Sequence, residues 1–128
     1  MAAGKSEVSI ARSPADVWAV VGRFDGVEEW MPGIDACEME GDVRKFQSMG
    51  VEARERLLSR DDDARTLSYS LIEGPVPVEH HVATITVTPD GERARLEWAY
   101  EVRPDELEAI FGPVYESSAQ AVKTHLEA

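Results

Sequence analysis

Few residues in this 128-residue chain could do chemistry. Cys37 is the one cysteine, and Asp35, Glu38 and Glu40 around it disfavour the thiolate that a nucleophile needs. A lone cysteine also excludes an internal disulfide and a cysteine-based zinc site. His80 and His81 are adjacent, but neighbours on a strand point to opposite faces, so the pair cannot easily chelate one ion. No Cys/His spacing elsewhere completes a metal site. Asp61-Asp62-Asp63 lacks the spaced ligands and distal glutamate of a calcium loop and reads as a solvated turn. His125, near the chain end, reads as a helix C-terminal cation or a capping contact. There is no Walker loop, glycine-rich dinucleotide fingerprint or HExxH motif, so neither a metal nor a cofactor is expected. What remains is Glu55, His81 and a group of tyrosines and tryptophans, whose meaning depends on the elements that carry them.

Those elements follow from periodicity and turn chemistry. Val8 and Ile10 alternate with Glu7 and Ser9, which predicts a strand near 5–11. Ser13-Pro14-Ala15-Asp16 is a helix start with proline at the first helical position. That helix ends near 22–25, and a second short helix or turn at 27–31 is stopped by Pro32-Gly33. From there the period changes to two. Strands are predicted at 34–40 and 43–49 around the Gly41-Asp42 turn, then at 51–60, 65–72, 79–88 and 93–102. Gly74-Pro75-Val76-Pro77 reads as an ordered loop, and Pro89-Asp90-Gly91 as a tight turn. Residues 104–128 read as a helix with Leu107, Ile110/Phe111, Val114, Ser118, Ala121/Val122 and His125 on one stripe. Gly112-Pro113 interrupts it. Either the helix is kinked there, or 104–111 forms a separate lid over a cavity mouth with Gly112-Pro113 as its hinge; the lid is the preferred expectation.

Period two assigns faces. Leu67, Tyr69 and Leu71 share one face; His81, Ala83, Ile85 and Val87 another; Ala94, Leu96, Trp98, Tyr100 and Val102 a third. On 51–60 the set Val51, Ala53, Glu55 and Leu57 places one carboxylate on the apolar side. A sheet with one apolar face must cover it, and the terminal helix is the long element available. The expectation is an α+β helix-grip fold: a curved seven-stranded antiparallel sheet around a long C-terminal helix, with two short helices after strand 1, forming one domain over 1–128.

The opening VSIARSPADVWAVVGRFDGVEEWMPGI, the strand pair EARERLLSRDDDARTLSYSLIEGPVPV, the strand GERARLEWAYEV and the final helix together resemble the START/Bet v 1-like (SRPBCC) superfamily. The resemblance is closest to its bacterial polyketide cyclase/dehydrase-like branch and covers nearly the whole chain. It implies an internal cavity between sheet and helix, in a branch whose members include aromatases, cyclases, lipid carriers and ligand sensors. On that reading Tyr69, Leu71, Ile85, Trp98 and Tyr100 from the sheet would line the cavity. Trp30 and Met31 from the short helices, and Ile110, Phe111 and Tyr115 from the last helix, would join them. The alternative for any one of these aromatics is plain core. Glu55 and His81 are the candidate catalytic groups. A carboxylate in an apolar pocket can act as general acid or base or hold a ligand hydroxyl, whereas at an open strand end it would be solvated or paired with an arginine.

Charge bounds the partners. The net charge is −12, each half of the chain carries −6, and no basic stripe exists. Nucleic acid and anionic lipid surfaces are therefore not expected partners. The segment MAAGKSEVSI has no apolar core of a signal peptide, and the longest apolar run, Val17 to Val21, is too short to span a membrane. A cytoplasmic protein is expected, with a homodimer left open. Two functions fit: binding of a small hydrophobic (aromatic, polyketide-like or lipid-like) molecule, or a cyclase/aromatase/dehydratase-type enzyme in which cavity shape orients a reactive chain.

Overall fold

The computed structural model describes residues Met1 to Ala128 except Met49 and Pro75; the predicted strand end at Met49, and Pro75 of the 74–77 loop, lie outside the described residues. Seven strands form one antiparallel sheet: β1 (Ala2–Ile10), β2 (Glu38–Glu40), β3 (Val43–Ser48), β4 (Val51–Asp61), β5 (Thr66–Glu73), β6 (His80–Asp90) and β7 (Arg93–Arg103). Their spatial order is β1-β7-β6-β5-β4-β3-β2. Short turns join β2 to β3, β3 to β4 and β6 to β7, each with a glycine in the left-handed region, Gly41, Gly50 and Gly91 at φ 64°, 80° and 64°. The first strand closes against the last, pairing from Ala2↔Val102 to Ile10↔Ala94. That pairing carries β1 three residues further back than its alternation predicts, because β7 supplies hydrogen-bond partners all along it.

Helix α1 (Pro14–Val21) starts as predicted, with the Ser13 hydroxyl accepting from the Asp16 N–H at 3.1 Å. The second short helix is only a single 3-10 turn, Val27–Glu29. The predicted strand at 34–40 is likewise reduced: Ile34 makes one isolated bridge to Ser48, and regular pairing covers only Glu38–Glu40. Pro32-Gly33 and the acidic stretch that follows leave little to pair or bury there. Helix α2 (Glu108–Glu127) follows a 3-10 turn at Asp105–Leu107 and runs unbroken through Pro113. The expected separate lid at 104–111 is therefore not formed. Gly112 has a different reason to be small: a Cβ there would lie 3.1 Å from the Tyr100 hydroxyl, so glycine lets the helix approach the sheet. The buried stripe of α2 is Phe111, Tyr115, Ser118, Ala119 and Val122. It is rotated from the predicted one, since Ile110, Val114 and His125 are exposed.

The inward faces of β5, β6 and β7 are buried as the alternation requires. On β4, Ala53 and Glu55 are buried while Val51 is exposed. Register shifts in β4 at Arg54/Glu55 and Leu57/Ser59 mark irregularities of the bulge type that bend a sheet.

The sheet also parts. The β5–β6 register runs from Thr66↔Thr86 to Tyr69↔Ala83, after which β5 follows β4 and β6 follows β7. The His81 ring sits in the gap. Its Nδ1 accepts from the Leu71 N–H at 2.9 Å, and its Nε2 lies 2.6 Å from the Tyr115 hydroxyl. The backbone donor fixes the tautomer, so Nε2–H donates to Tyr115. His81 thus replaces a missing ladder bond and ties β5, β6 and α2 together. Burial, and secondarily the neighbouring His80, push its pKa down to about 4.

The sign of the consequence is fixed. The unfolded imidazole binds a proton near its ordinary pKa of about 6.5, the folded one only near 4. His81 therefore costs no stability above pH 6.5 and up to ~3 kcal/mol as pH falls towards 4. A nuclear magnetic resonance titration should show the His81 ring neutral until below pH 5. A His81 midpoint at or above 6 would contradict this placement.

Candidate functional site

Between the concave face of the sheet and α2 lies a cavity of about 330 Å3. The size and wall chemistry are those of a small-molecule site. The sheet supplies Phe46, Ala53, Tyr69, Leu71 and Trp98; the Val27–Glu29 turn and its exit supply Val27, Trp30, Met31 and Ile34; α2 supplies Phe111, Tyr115 and Ser118. Ile110 and Val114 line it while remaining 44% and 42% exposed. They mark where the cavity opens. The inner wall is aromatic: Trp98 stacks on Tyr115 with centroids 5.7 Å apart, and Trp30 tilts against Trp98 at 5.8 Å. The Trp98 indole donates to the Tyr69 hydroxyl at 3.1 Å.

One pole of this apolar space is charged. Arg44 on β3 and Glu55 on β4 are direct cross-strand partners, 6% and 9% exposed, and both line the cavity. Arg44 grips a single carboxylate oxygen, with Nε at 2.8 Å and Nη2 at 2.7 Å from Oε1. Its Nη1 donates to the Phe24 carbonyl at 3.0 Å, and its guanidinium lies 4.0 Å from the Phe24 ring centre and 4.9 Å from that of Tyr69. Burial is the largest single influence and opposes the Arg44 charge, but the charge and hydrogen bond of Glu55, with Tyr69 beside it, together offset it and hold the pKa above the usual arginine value. Glu55 Oε2 accepts no hydrogen bond from a described residue and is not sealed from the cavity. Burial pushes the Tyr69 and Tyr115 pKa values well up, so both hydroxyls stay protonated. The Trp30 indole N–H is buried without an acceptor among the described residues. Such an unpaired donor costs about 1–3 kcal/mol.

Glu55 thus shares this space with Trp30, Met31, Tyr69 and Leu71, and with Trp98, Ile110, Phe111 and Tyr115. Three of the expected residues are elsewhere. His81 stands one hydrogen bond behind Tyr115. Ile85 is packed in the core opposite Leu67. Tyr100 passes to the other side of α2 and lines a separate surface cleft. The residue that sequence reasoning missed is Arg44. Its signal was available: counting back through the Gly50 turn from Glu55 places Arg44 directly opposite. Cys37 lies outside the cavity wall, and burial foremost, with smaller contributions from Glu28, Asp25 and Glu55, pushes its thiol up to about 11. Among the described residues no three His, Cys, Asp or Glu side chains are grouped to hold a metal ion, and no helix is long and apolar enough to cross a membrane.

Comparison with known proteins agrees with this architecture. Residues 1–127 match the family described as "Polyketide cyclase / dehydrase and lipid transport". No curated protein matches the chain. Among solved structures, the protein XoxI from Bacillus cereus is 27% identical, with 98% of this chain and 96% of that one covered and a TM-score of 0.92. A START superfamily protein from Mycobacterium smegmatis superposes over 98% of this chain and 97% of its own at 16% identity and a TM-score of 0.81. The di-domain ARO/CYC protein BexL, from the BE-7585A biosynthetic pathway, does so over 99% of this chain and 47% of its own at 15% identity and a TM-score of 0.85. The last two likenesses concern the fold alone. With its seven-stranded sheet closed around one helix, and with its sequence matched over almost its full length, this chain belongs to the polyketide cyclase/dehydrase and lipid transport family.

Proposed function

We propose that this protein binds a small, mainly apolar molecule, aromatic, polyketide-like or lipid-like, that carries a hydroxyl or similar hydrogen-bond donor at one end. The observation that carries this reading is an aromatic-walled cavity with one charged pole, where Arg44 takes one oxygen of Glu55 and leaves the other open. A donor placed there would make a charge-assisted hydrogen bond in a site of low dielectric, worth about 1.5–3 kcal/mol. A ligand carboxylate at the same pole would meet Glu55 as a like charge. The exposed Ile110 and Val114 would give an apolar molecule its way in.

The enzymatic alternative needs a group that moves a proton. Glu55 is committed to an ion pair, and His81 is neutral and screened from the cavity by Tyr115. These two features favour recognition over proton transfer.

Two tests follow. An environment-sensitive apolar dye should bind at micromolar levels, and Ala53→Trp or Ser118→Phe, on opposite walls, should each weaken it ~10-fold or more while costing less than the ~1–3 kcal/mol of overpacking a filled core. Unchanged dye binding in both folded variants would place the site elsewhere. Separately, Glu55→Leu should cost ~3–5 kcal/mol in urea unfolding because it strands the Arg44 charge, whereas Arg44→Met with Glu55→Leu should fall within ~1 kcal/mol of the parent. Additive losses would mean that the two side chains are not a pair.

A further inference from the structure

Hydrogen-bond counting along the aromatic wall of the cavity leaves protons over. Tyr69 and Tyr115 both line the cavity and are 2% and 4% exposed. Each hydroxyl oxygen already accepts an N–H. The Trp98 indole donates to Tyr69 Oη at 3.1 Å. His81 Nε2–H donates to Tyr115 Oη at 2.6 Å, a direction settled by the Leu71 N–H, which occupies Nδ1 at 2.9 Å. Neither bond uses a tyrosine proton. Both hydroxyls stay protonated, because burial holds their pKa values up. Two O–H protons are therefore present, and among the described residues no acceptor outside the pair takes either. A bond from one hydroxyl to the other would use one proton and leave the second.

The surplus is one of donors. Trp30, tilted against Trp98, adds an indole N–H that is buried with no acceptor among the described residues. Ser118 on α2 spends its own proton on the Val114 carbonyl at 2.8 Å. The open Glu55 oxygen lies at the charged pole, and no hydrogen bond joins it to either tyrosine. A buried donor left without an acceptor is costly. An O–H whose oxygen already accepts an N–H is also polarised into a stronger donor. The complement to such a wall is a neutral acceptor that brings no proton of its own. A carbonyl oxygen has two lone pairs and no hydrogen. A second ligand hydroxyl would add a donor to a wall already in surplus, and a carboxylate would add negative charge to a space that already holds Glu55.

We propose that the Tyr69 and Tyr115 pair donates a hydrogen bond to a ketone oxygen of the ligand, so that the molecule bound here is a hydroxyaryl ketone with its hydroxyl on Glu55 and its carbonyl on the tyrosines. This assignment rests on the reading that the cavity binds a small apolar molecule through Glu55, and it adds a second polar contact of opposite sense. Two such contacts fix the orientation of a ligand that Glu55 alone would leave free to turn.

The test is a nuclear magnetic resonance titration of the whole chain with 6- and 7-hydroxy-1-tetralone and with 5,6,7,8-tetrahydro-2-naphthol, which keeps the bicyclic ring and the hydroxyl but has a methylene in place of the carbonyl. The two ketones hold the carbonyl at different distances from the hydroxyl. At least one of them should bind about fivefold or more tightly than the carbonyl-free phenol. That preference should fall to about twofold or less in Tyr69→Phe or in Tyr115→Phe, according to which hydroxyl holds the unspent proton. In the same variant 2-naphthol should keep its advantage over 2-methoxynaphthalene, a comparison that reads Glu55. A carbonyl preference that survives in both folded variants, or equal affinities of ketones and phenol in the parent, would overturn the tyrosine assignment and leave the Glu55 reading standing. Absence of the 2-naphthol advantage in the parent would overturn the Glu55 reading and this assignment with it.

Discussion

Two opposite charges facing each other on the concave side of the sheet set the terms for the rest of this molecule. Removing Arg44 and Glu55 from water costs several kcal/mol per ion, and their mutual attraction repays it only if the remaining polar atoms are also satisfied. The surroundings supply part of that: the Phe24 carbonyl takes a third guanidinium contact, and the Phe24 and Tyr69 rings cover the cation. Glu55 is left half satisfied. A hydrophobic pair of the same volume would be as stable or more so, and nothing in the packing requires a charge at this position. A carboxylate oxygen without a partner among the described residues, open to an apolar space, is what a recognition site needs and what a core avoids.

The space itself exists because the sheet opens. Where β5 leaves β6, Leu71 loses its ladder partner, and an unpaired buried N–H would be costly. The His81 imidazole closes that gap and passes its other proton to Tyr115 on α2. One neutral side chain therefore holds the wall of the cavity at the point where sheet hydrogen bonding fails. A charged imidazole could not do this, because Nδ1 would become a donor facing the Leu71 donor. The same residue that looks catalytic as a histidine in an apolar strand is here a structural tie.

The order of elements and the inward faces of β5, β6 and β7 were legible because alternation and turn chemistry are local properties. So was the apolar-side placement of Glu55. Four things were not. The burial of Arg44 depends on cross-strand register, which the short turn at Gly50 encodes only once Glu55 is taken as the reference. The course of α2 through Pro113 depends on tertiary packing, which overrides a local helix penalty that would be ~3 kcal/mol in an isolated interior. Gly112, which beside a proline suggests a hinge, answers instead to Tyr100 on a strand twelve residues earlier. The parting of β5 from β6 leaves no trace in periodicity, so His81, Ile85 and Tyr100 could not be sorted from true cavity residues such as Tyr69 and Trp98.

The proposed function requires the apolar cavity to read a ligand's hydrogen-bond donor through Glu55. The most direct measurement compares 2-naphthol with 2-methoxynaphthalene, which keeps the ring system and loses the donor, by titration followed at the Trp98 and Trp30 indole N–H resonances. Both compounds should move those resonances, and 2-naphthol should bind ~10-fold or more tightly, the ratio expected of one charge-assisted hydrogen bond. Equal affinities would contradict recognition through Glu55 while leaving an apolar cavity in place. No movement of either indole signal with either compound would contradict the cavity itself.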